Sequence, residues 1–148
     1  MIENVDHLIV AVEDLDAAEN NYKKIFGINP VWKGVHNELG TSNVLFNLEN
    51  TYLELLAATG SGVGAELINK SIQTNGEGLL GLVLGTKNIK AFNKKAAESG
   101  YLLSEVASGE GVSEKNKKRK WLYQFLPPEM TRGIFSFVCL LYTSDAAD

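Results

Sequence analysis

The segment from Tyr52 to Leu56 (YLELL) places one carboxylate, that of Glu54, inside an otherwise apolar run. A carboxylate in a half-buried strand is destabilising unless it is paired, neutralised or bound to a cation. Upstream, His7 has a similar setting in the segment VDHLIV at residues 5–10. An imidazole and a carboxylate together can transfer a proton or bind a metal ion, and a purely structural hydrogen-bonded pair is the alternative. We expect His7 and Glu54 to meet, with Glu54 as a catalytic residue.

Other side chains are candidates for a pocket around this pair. His36 lies in a predicted loop, where it is either solvated or a catalytic acid–base group at the pocket mouth. Asn43 is expected on the same face as Glu54 and could orient a substrate oxygen. Thr41 is a further substrate-binding candidate, although the Gly-Thr step it belongs to is more typical of a turn than of a phosphate cradle. Tyr52 and Trp121 are either pocket walls, and so substrate-binding residues, or core residues.

A basic run, KNKKRK, occupies residues 115–120. It has no interleaved aromatic residues, and we interpret it as a solvated hairpin loop rather than a nucleic-acid-binding patch. A narrower hypothesis is that Arg119 or Lys120, next to Trp121, helps to hold an anionic substrate at the rim.

The first half of the chain predicts the order strand, helix, strand, strand, strand. Residues 5–12 alternate as a strand does, with His7 and Ile9 on one face. A helix begins after the N-cap Asp14 and ends at Gly27. Three short strands are predicted at 31–34, 41–48 and 52–57.

The second half repeats this order. A Gly/Ser-rich connector leads to a short helix at about 65–74, and a strand at Leu80–Leu84 precedes a helix from Ile89 to near Gly100. Strands follow at 102–107, 121–125 and 133–138. Aligning Leu15 with Ile89 superposes the halves at a constant offset of 74 residues, which indicates an internal duplication.

These elements predict one α+β domain over residues 1–138. Two βαβββ modules, at about 5–57 and 78–138 with the connector 58–77, would form a half-barrel cup with the helices outside. Its concave face would hold His7, Ile9, Asn43 and Glu54.

Composition favours a soluble globular domain: the 148 residues carry a net charge of −4 and are 45% hydrophobic. The negative charge argues against nucleic acid as a partner. Neither a secretory leader nor an apolar run of membrane-spanning length is evident, and a single cysteine permits no internal disulfide. We therefore expect a cytoplasmic protein with no membrane partner.

The segment 139–148 (CLLYTSDAAD) corresponds in full to the translation of a transposase sequencing adapter. We interpret it as an artefact, expect the natural chain to run to about Val138, and exclude the segment from fold reasoning. Its cysteine, Cys139, is then expected to carry no chemistry.

The order of elements, together with three motifs, resembles the vicinal oxygen chelate superfamily and, more narrowly, its glyoxalase-like branch, which includes bleomycin-resistance proteins and extradiol dioxygenases. The motifs are DHL at 6–8, GVH at 34–36 with GTSN at 40–43, and YLELL at 52–56. The resemblance covers roughly residues 5–138 and implies a small-molecule ligand or substrate. Exposed edges of such half-barrels are often paired, so a homodimer is also expected.

The resemblance further implies a divalent metal (Zn, Fe, Ni, Co or Mn) held by His7 and Glu54. Such a metal would polarise substrate oxygens, in a lyase, isomerase or dioxygenase reaction. Two positions depart from the family pattern. The offset puts Gly81 where a further ligand is expected, and the last ligand would fall just beyond Val138. The alternative function is a binding protein that sequesters a small ligand without turnover, as bleomycin-resistance proteins do.

Overall fold

The computed structural model describes residues 1–141. Within this range lie eight strands and four helices, in the order β1 Ile2–Ala11, α1 Leu15–Phe26, β2 Trp32–His36, β3 Thr41–Asn47, β4 Tyr52–Ala58, α2 Val63–Asn75, β5 Gly78–Thr86, α3 Ile89–Glu98, β6 Ala107–Ser113, β7 Lys118–Phe125, α4 Pro128–Thr131 and β8 Phe135–Leu141. No helix in this part of the chain has both the length and the apolar character that crossing a membrane requires.

The eight strands form a closed barrel in the order β1-β4-β3-β2-β6-β7-β8-β5. A half-barrel cup was expected, and two contacts close it. On one side β1 pairs along its length with β5, and on the other β2 pairs with β6 through Gly34–Ser113 and Val35–Val112. Closure removes the free sheet edges on which the expectation of a homodimer rested.

The first helix is placed by local signals that the sequence carries. The side chain of Asp14 caps α1 by accepting a hydrogen bond from the backbone N–H of Ala17, and Gly27 ends it in the left-handed conformation. The apolar stripe of the helix, Leu15, Ala18 and Tyr22, packs on a buried cluster on the outer face of the first-half strands. The inner faces of the strands are thereby left to line a cavity.

The predicted strand at 102–107 is wrong. Residues 101–106 are not in a strand, Leu102 is 93% exposed, and β6 instead covers 107–113. This segment (ASGEGVS) has low β propensity, so pairing with β2 and β7, rather than its own composition, holds it in the sheet. The short helix α4 was also not predicted.

The basic run is not wholly a hairpin loop. The turn ends at Lys117, and β7 begins at Lys118. Along this strand Lys118 and Lys120 are exposed, whereas Arg119 is buried. The period of two in a strand thus sends the guanidinium to the barrel interior and the two ammonium groups to the outside.

The adapter interpretation of residues 139–148 stays a prediction. Cys139, Leu140 and Leu141 continue β8. The remainder of that segment lies outside the described residues.

Candidate functional site

A chain of three ionisable side chains stands at the centre of the barrel. The Nδ1 atom of His7 is 2.7 Å from a carboxylate oxygen of Asp6, and its Nε2 atom is 3.5 Å from Oε1 of Glu54. His7 and Glu54 are 6% and 8% exposed. The two residues therefore meet, as the sequence predicts, and Asp6 is the partner that sequence reasoning missed.

Asp6 reaches His7 because β1 is irregular between them. Strict alternation would put neighbouring residues on opposite faces of the strand, but the register with β5 shifts between Val5 and His7. Such an irregularity redirects one side chain. The hydroxyl of Tyr52 donates to the same Asp6 oxygen at 3.0 Å, and its ring stacks on the His7 imidazole with centroids 4.4 Å apart. These contacts fix the imidazole on both edges and one face.

The charges of Asp6, His7 and Glu54 stabilise one another. Burial by itself would raise the pKa of Glu54, but the hydrogen bond and charge of His7 outweigh it and lower that pKa to about 2. Burial opposes protonation of His7, yet its hydrogen bonds to Asp6 and Glu54 raise its pKa above the ordinary value. At neutral pH Glu54 is a carboxylate, and His7 retains its proton more firmly than a free histidine does.

The second carboxylate oxygen of Glu54 also accepts a hydrogen bond. The side-chain amide of Asn43 donates to Oε2 at 2.7 Å, and its carbonyl accepts from the indole N–H of Trp32 at 3.1 Å. Asn43 is 3% exposed. With both ends of its amide engaged, Asn43 orients Glu54, whereas the sequence predicted a contact to substrate oxygen.

His36 is neutral and faces the same cavity. It ends β2, is buried, and its Nδ1 is 2.9 Å from the hydroxyl of Thr41 at the start of β3. Burial lowers its pKa below the ordinary value. Its Nε2 has no hydrogen-bond partner among residues 1–141, and Trp121 packs edge-on against the ring at 5.4 Å. Thr41, predicted to bind substrate, thus orients a candidate acid–base group.

The barrel encloses a cavity of about 420 Å³, a size suited to a small organic molecule. All of the predicted site residues line it: His7, His36, Thr41, Asn43, Tyr52, Glu54 and Trp121. Most of the remaining wall is apolar, and helix α2 contributes Val63, Leu67 and Ile68 to it. The catalytic, substrate-binding and metal-binding roles assigned to these residues remain predictions.

Arg119 is a charged residue that also lines the cavity and is buried within the barrel. Its guanidinium lies over the rings of Trp32 and Tyr52, with its carbon 5.2 and 5.8 Å from their centroids. The sequence named Arg119 only as a rim residue beside the alternative Lys120. The alternation of β7 could have singled it out, had the strand been predicted to start at residue 118.

The donor set does not fit the divalent metal that the family resemblance implies. His7 and Glu54 supply two ligands, whereas metal centres of this kind take three or four from the protein. Within residues 1–141 no group of three or more His, Cys, Asp or Glu side chains is arranged to hold a metal ion. A Cβ at Gly81 would lie 2.7 Å from the carbonyl oxygen of Phe135, so no side chain could stand there without a shift.

Phe137 occupies a place in the second-half strands like that of Glu54 in the first. Glu54 lies beside Ile9 in the β1–β4 pair, and Phe137 lies beside Val83 in the β5–β8 pair. The predicted offset of 74 residues, which relates Ile9 to Val83, would make Phe137 the counterpart of Glu54. The expectation that a last ligand falls just beyond Val138 stays a prediction.

The closed α+β barrel and its central cavity define a fold of the vicinal oxygen chelate type. Residues 5–147 match the family described as "Glyoxalase-like domain". The chain belongs to this family.

Solved structures with the same fold include methylmalonyl-CoA epimerases. A variant of the Streptomyces coelicolor enzyme, in complex with 2-nitronate-propionyl-CoA, is 21% identical with a TM-score of 0.75, and the match covers 95% of each chain. The Mycobacterium tuberculosis enzyme is 20% identical with a TM-score of 0.75, covering 99% of this chain and 93% of that one. A hypothetical protein from Bacillus halodurans is 20% identical with a TM-score of 0.76, covering 98% of each. A comparison with curated protein sequences gave no match.

Proposed function

We propose that the protein is a small-molecule isomerase that moves a proton at a carbon next to a carbonyl group, without a resident metal. The observation that carries the proposal is geometric: the Nε2 atom of His36, held from Nδ1 by Thr41, faces the same cavity as His7 and its two carboxylates. Burial lowers the pKa of His36, whereas the carboxylates raise the pKa of His7, and opposite shifts in one pocket suit acid–base chemistry near neutral pH. The epimerases that share the fold supply a precedent of reaction type by analogy only.

The roles follow from the ionisation states. His36 takes the proton from carbon on Nε2, while the hydroxyl of Thr41 holds the ring from Nδ1. Both ring nitrogens of His7 face carboxylates, so the charge of its imidazolium, rather than a hydrogen bond from it, stabilises the carbonyl oxygen as negative charge develops there. Return of the proton from His36 to a neighbouring carbon, or to the opposite face of the same carbon after the planar intermediate has rotated, completes the isomerisation.

Glu54 keeps His7 protonated and oriented in this proposal. A carboxylate with a pKa of about 2 is a weak base at neutral pH, so we assign proton abstraction to His36 rather than to Glu54. Asn43 and Trp32 then act through Glu54 by fixing its second oxygen.

We also infer that the two halves of the barrel arose by duplication and diverged in function. Support comes from the matching parallel pairs, β1 with β4 and β5 with β8. The first half kept the polar pair His7 and Glu54, and the second replaced the corresponding positions by Gly81 and Phe137. In this proposal the second half supplies the apolar wall against which a substrate packs.

The test is deuterium incorporation from D₂O into methylmalonyl-CoA and 2-oxobutanoate, two carbonyl compounds with an exchangeable neighbouring C–H. Mass spectrometry should detect incorporation above the enzyme-free rate with at least one of them. His36→Gln should lower the rate by about 10² or more, as loss of a general base does. Glu49→Gln, a change at an exposed residue of the β3–β4 turn, is the matched control and should retain the wild-type rate.

Two outcomes would contradict the proposal. If His36→Gln keeps the wild-type rate, the base is another group. If the wild type binds ligands tightly but incorporates no deuterium from either compound, the protein is a binding protein of the sequestering kind. The largely apolar wall of the cavity is the observation that favours this second function.

A further inference from the structure

The side chain of Arg119 is buried without a carboxylate in contact among residues 1–141. The residue is 8% exposed, and its Nε is fully buried with no hydrogen-bond partner. Within residues 1–141 the side chain makes no ion pair within 4.0 Å, and its guanidinium carbon lies over the rings of Trp32 and Tyr52. A guanidinium has five N–H donors, and leaving them unsatisfied in a buried site is unfavourable.

The neighbouring carboxylates are already engaged. Asp6 accepts from both His7 and Tyr52, and Glu54 is held by His7 and Asn43. His7 lies between these two carboxylates. The charge of Arg119 lowers the pKa of Asp6, but among residues 1–141 no carboxylate lies within 4.0 Å of the guanidinium to accept its N–H groups.

Two glycines of β6 leave space inside the barrel for the side chains of Arg119 and Trp121. Gly111 on β6 lies opposite Arg119, and Gly109 lies opposite Trp121. A Cβ at Gly111 would lie 3.2 Å from the ring of His36, tighter than ordinary contact. Two residues without side chains thus leave the interior to the large side chains of β7.

We propose that Arg119 binds the carboxylate of the substrate, and that the substrate is a small monocarboxylic acid with an apolar body. Trp32 and Tyr52 hold the plane of the guanidinium, leaving its N–H groups to pair with the two oxygens of one carboxylate. The apolar body lies against Tyr123, Phe135 and Phe137, which line the same cavity. The inference rests on the proposed function for the word substrate, but the binding site itself does not depend on catalysis.

The native tryptophans provide a fluorescence signal for binding at this site. It has two tryptophans, Trp32 and Trp121, and both line the cavity. Tryptophan fluorescence can therefore follow titration with 3-phenylpropionate and with 3-phenylpropionamide, a matched pair that differs in the carboxylate. The wild type should bind the acid at least tenfold more tightly than the amide, as a charge-assisted pair provides.

Arg119→Gln should weaken binding of the acid by about tenfold to a hundredfold and leave binding of the amide within about twofold. Lys118→Gln removes a positive charge from the outer face of the same strand and should change neither affinity. Because Arg119 is unpaired, Arg119→Gln and Arg119→Met should melt no lower than the wild type without ligand, which keeps the test interpretable.

Equal affinities of the wild type for the acid and the amide would overturn the assignment, as would an Arg119→Gln variant that still prefers the acid. Failure here differs from failure of the proposed function. Deuterium exchange that depends on His36, together with equal binding of acid and amide, would contradict the carboxylate site but support the proposed reaction. Preference for the acid that depends on Arg119, without deuterium exchange, would support the carboxylate site in a protein that binds a ligand without turnover.

Discussion

At the residue scale, the central pair is stabilised by charges that depend on one another. His7 lowers the pKa of Glu54 to about 2, and Asp6 and Glu54 in turn raise the pKa of His7. The pair is buried within the barrel, where such interactions are only weakly screened. Protonation of Glu54 or deprotonation of His7 should therefore lower the free energy of unfolding.

The first prediction is that Glu54 makes stability depend on acid pH. Its pKa is lowered in the folded chain from an ordinary value of 4.5 to about 2. Its contribution is thus fully present above about pH 4.5 and is lost as the pH falls toward 2. His7 has a raised pKa, so its contribution is present below its ordinary value of 6.5 and is lost as the pH rises through the folded value. The pair should contribute most between these limits.

Urea unfolding from pH 2 to 8 measures this dependence. Glu54→Gln should lower the free energy of unfolding by a few kcal/mol near pH 5, and its curve should converge on that of the wild type toward pH 2. Glu49→Gln, at an exposed position, should run parallel to the wild type. Parallel curves for Glu54→Gln would mean that the His7–Glu54 pair is not formed.

At the scale of the elements, the seam between β2 and β6 decides whether the cavity is enclosed. Only two register pairs, Gly34–Ser113 and Val35–Val112, join these strands. A Cβ at Gly34 would lie 2.7 Å from the carbonyl oxygen of Val112 and 2.6 Å from the indole nitrogen of Trp32. The seam therefore depends on a residue without a side chain.

Gly34→Ala should destabilise the fold by about 1–3 kcal/mol, since overpacking against backbone cannot relax easily. It should also weaken the Trp32–Asn43 hydrogen bond, and thereby reduce the deuterium-exchange rate. Thermal unfolding and exchange rates check both effects. Gly60→Ala is the control, because its Cβ would meet nothing closer than 3.4 Å. A Gly34→Ala variant as stable and active as this control would show that the seam is open in solution.

At the scale of the whole molecule, the two halves of the barrel line the cavity with side chains of different polarity. His7 and Glu54 lie on the paired strands β1 and β4, and Gly81 and Phe137 lie on the paired strands β5 and β8. We propose that the cavity therefore offers too few donors for a resident metal ion.

Protein purified without chelator should accordingly contain far less than one equivalent of Zn, Fe, Ni, Co or Mn per chain. Elemental analysis checks this, and added metal should not raise the exchange rate. Phe137→Glu restores a carboxylate opposite the pair and should increase metal binding, since it supplies the third donor. Stoichiometric metal in the wild type that is lost in His7→Ala would instead establish the two-ligand site that the family resemblance implies.

Several features of the molecule are determined by the sequence alone. Alternation in residues 5–12 and 52–57 puts His7 and Glu54 on one face, and local caps such as Asp14 and Gly27 place the first helix. The family motifs together predict the fold type. These features are local, since each depends on residues close together in the chain.

Only the tertiary structure decides the rest. The irregularity in β1 brings Asp6 to His7, pairing holds the weak strand β6 in the sheet, and the β5–β8 register places Phe137 beside Val83. Arg119 belongs to the interior because β7 begins at residue 118 and its neighbours close the barrel around it. Each of these depends on contacts between residues far apart in the chain, which propensity and spacing do not encode.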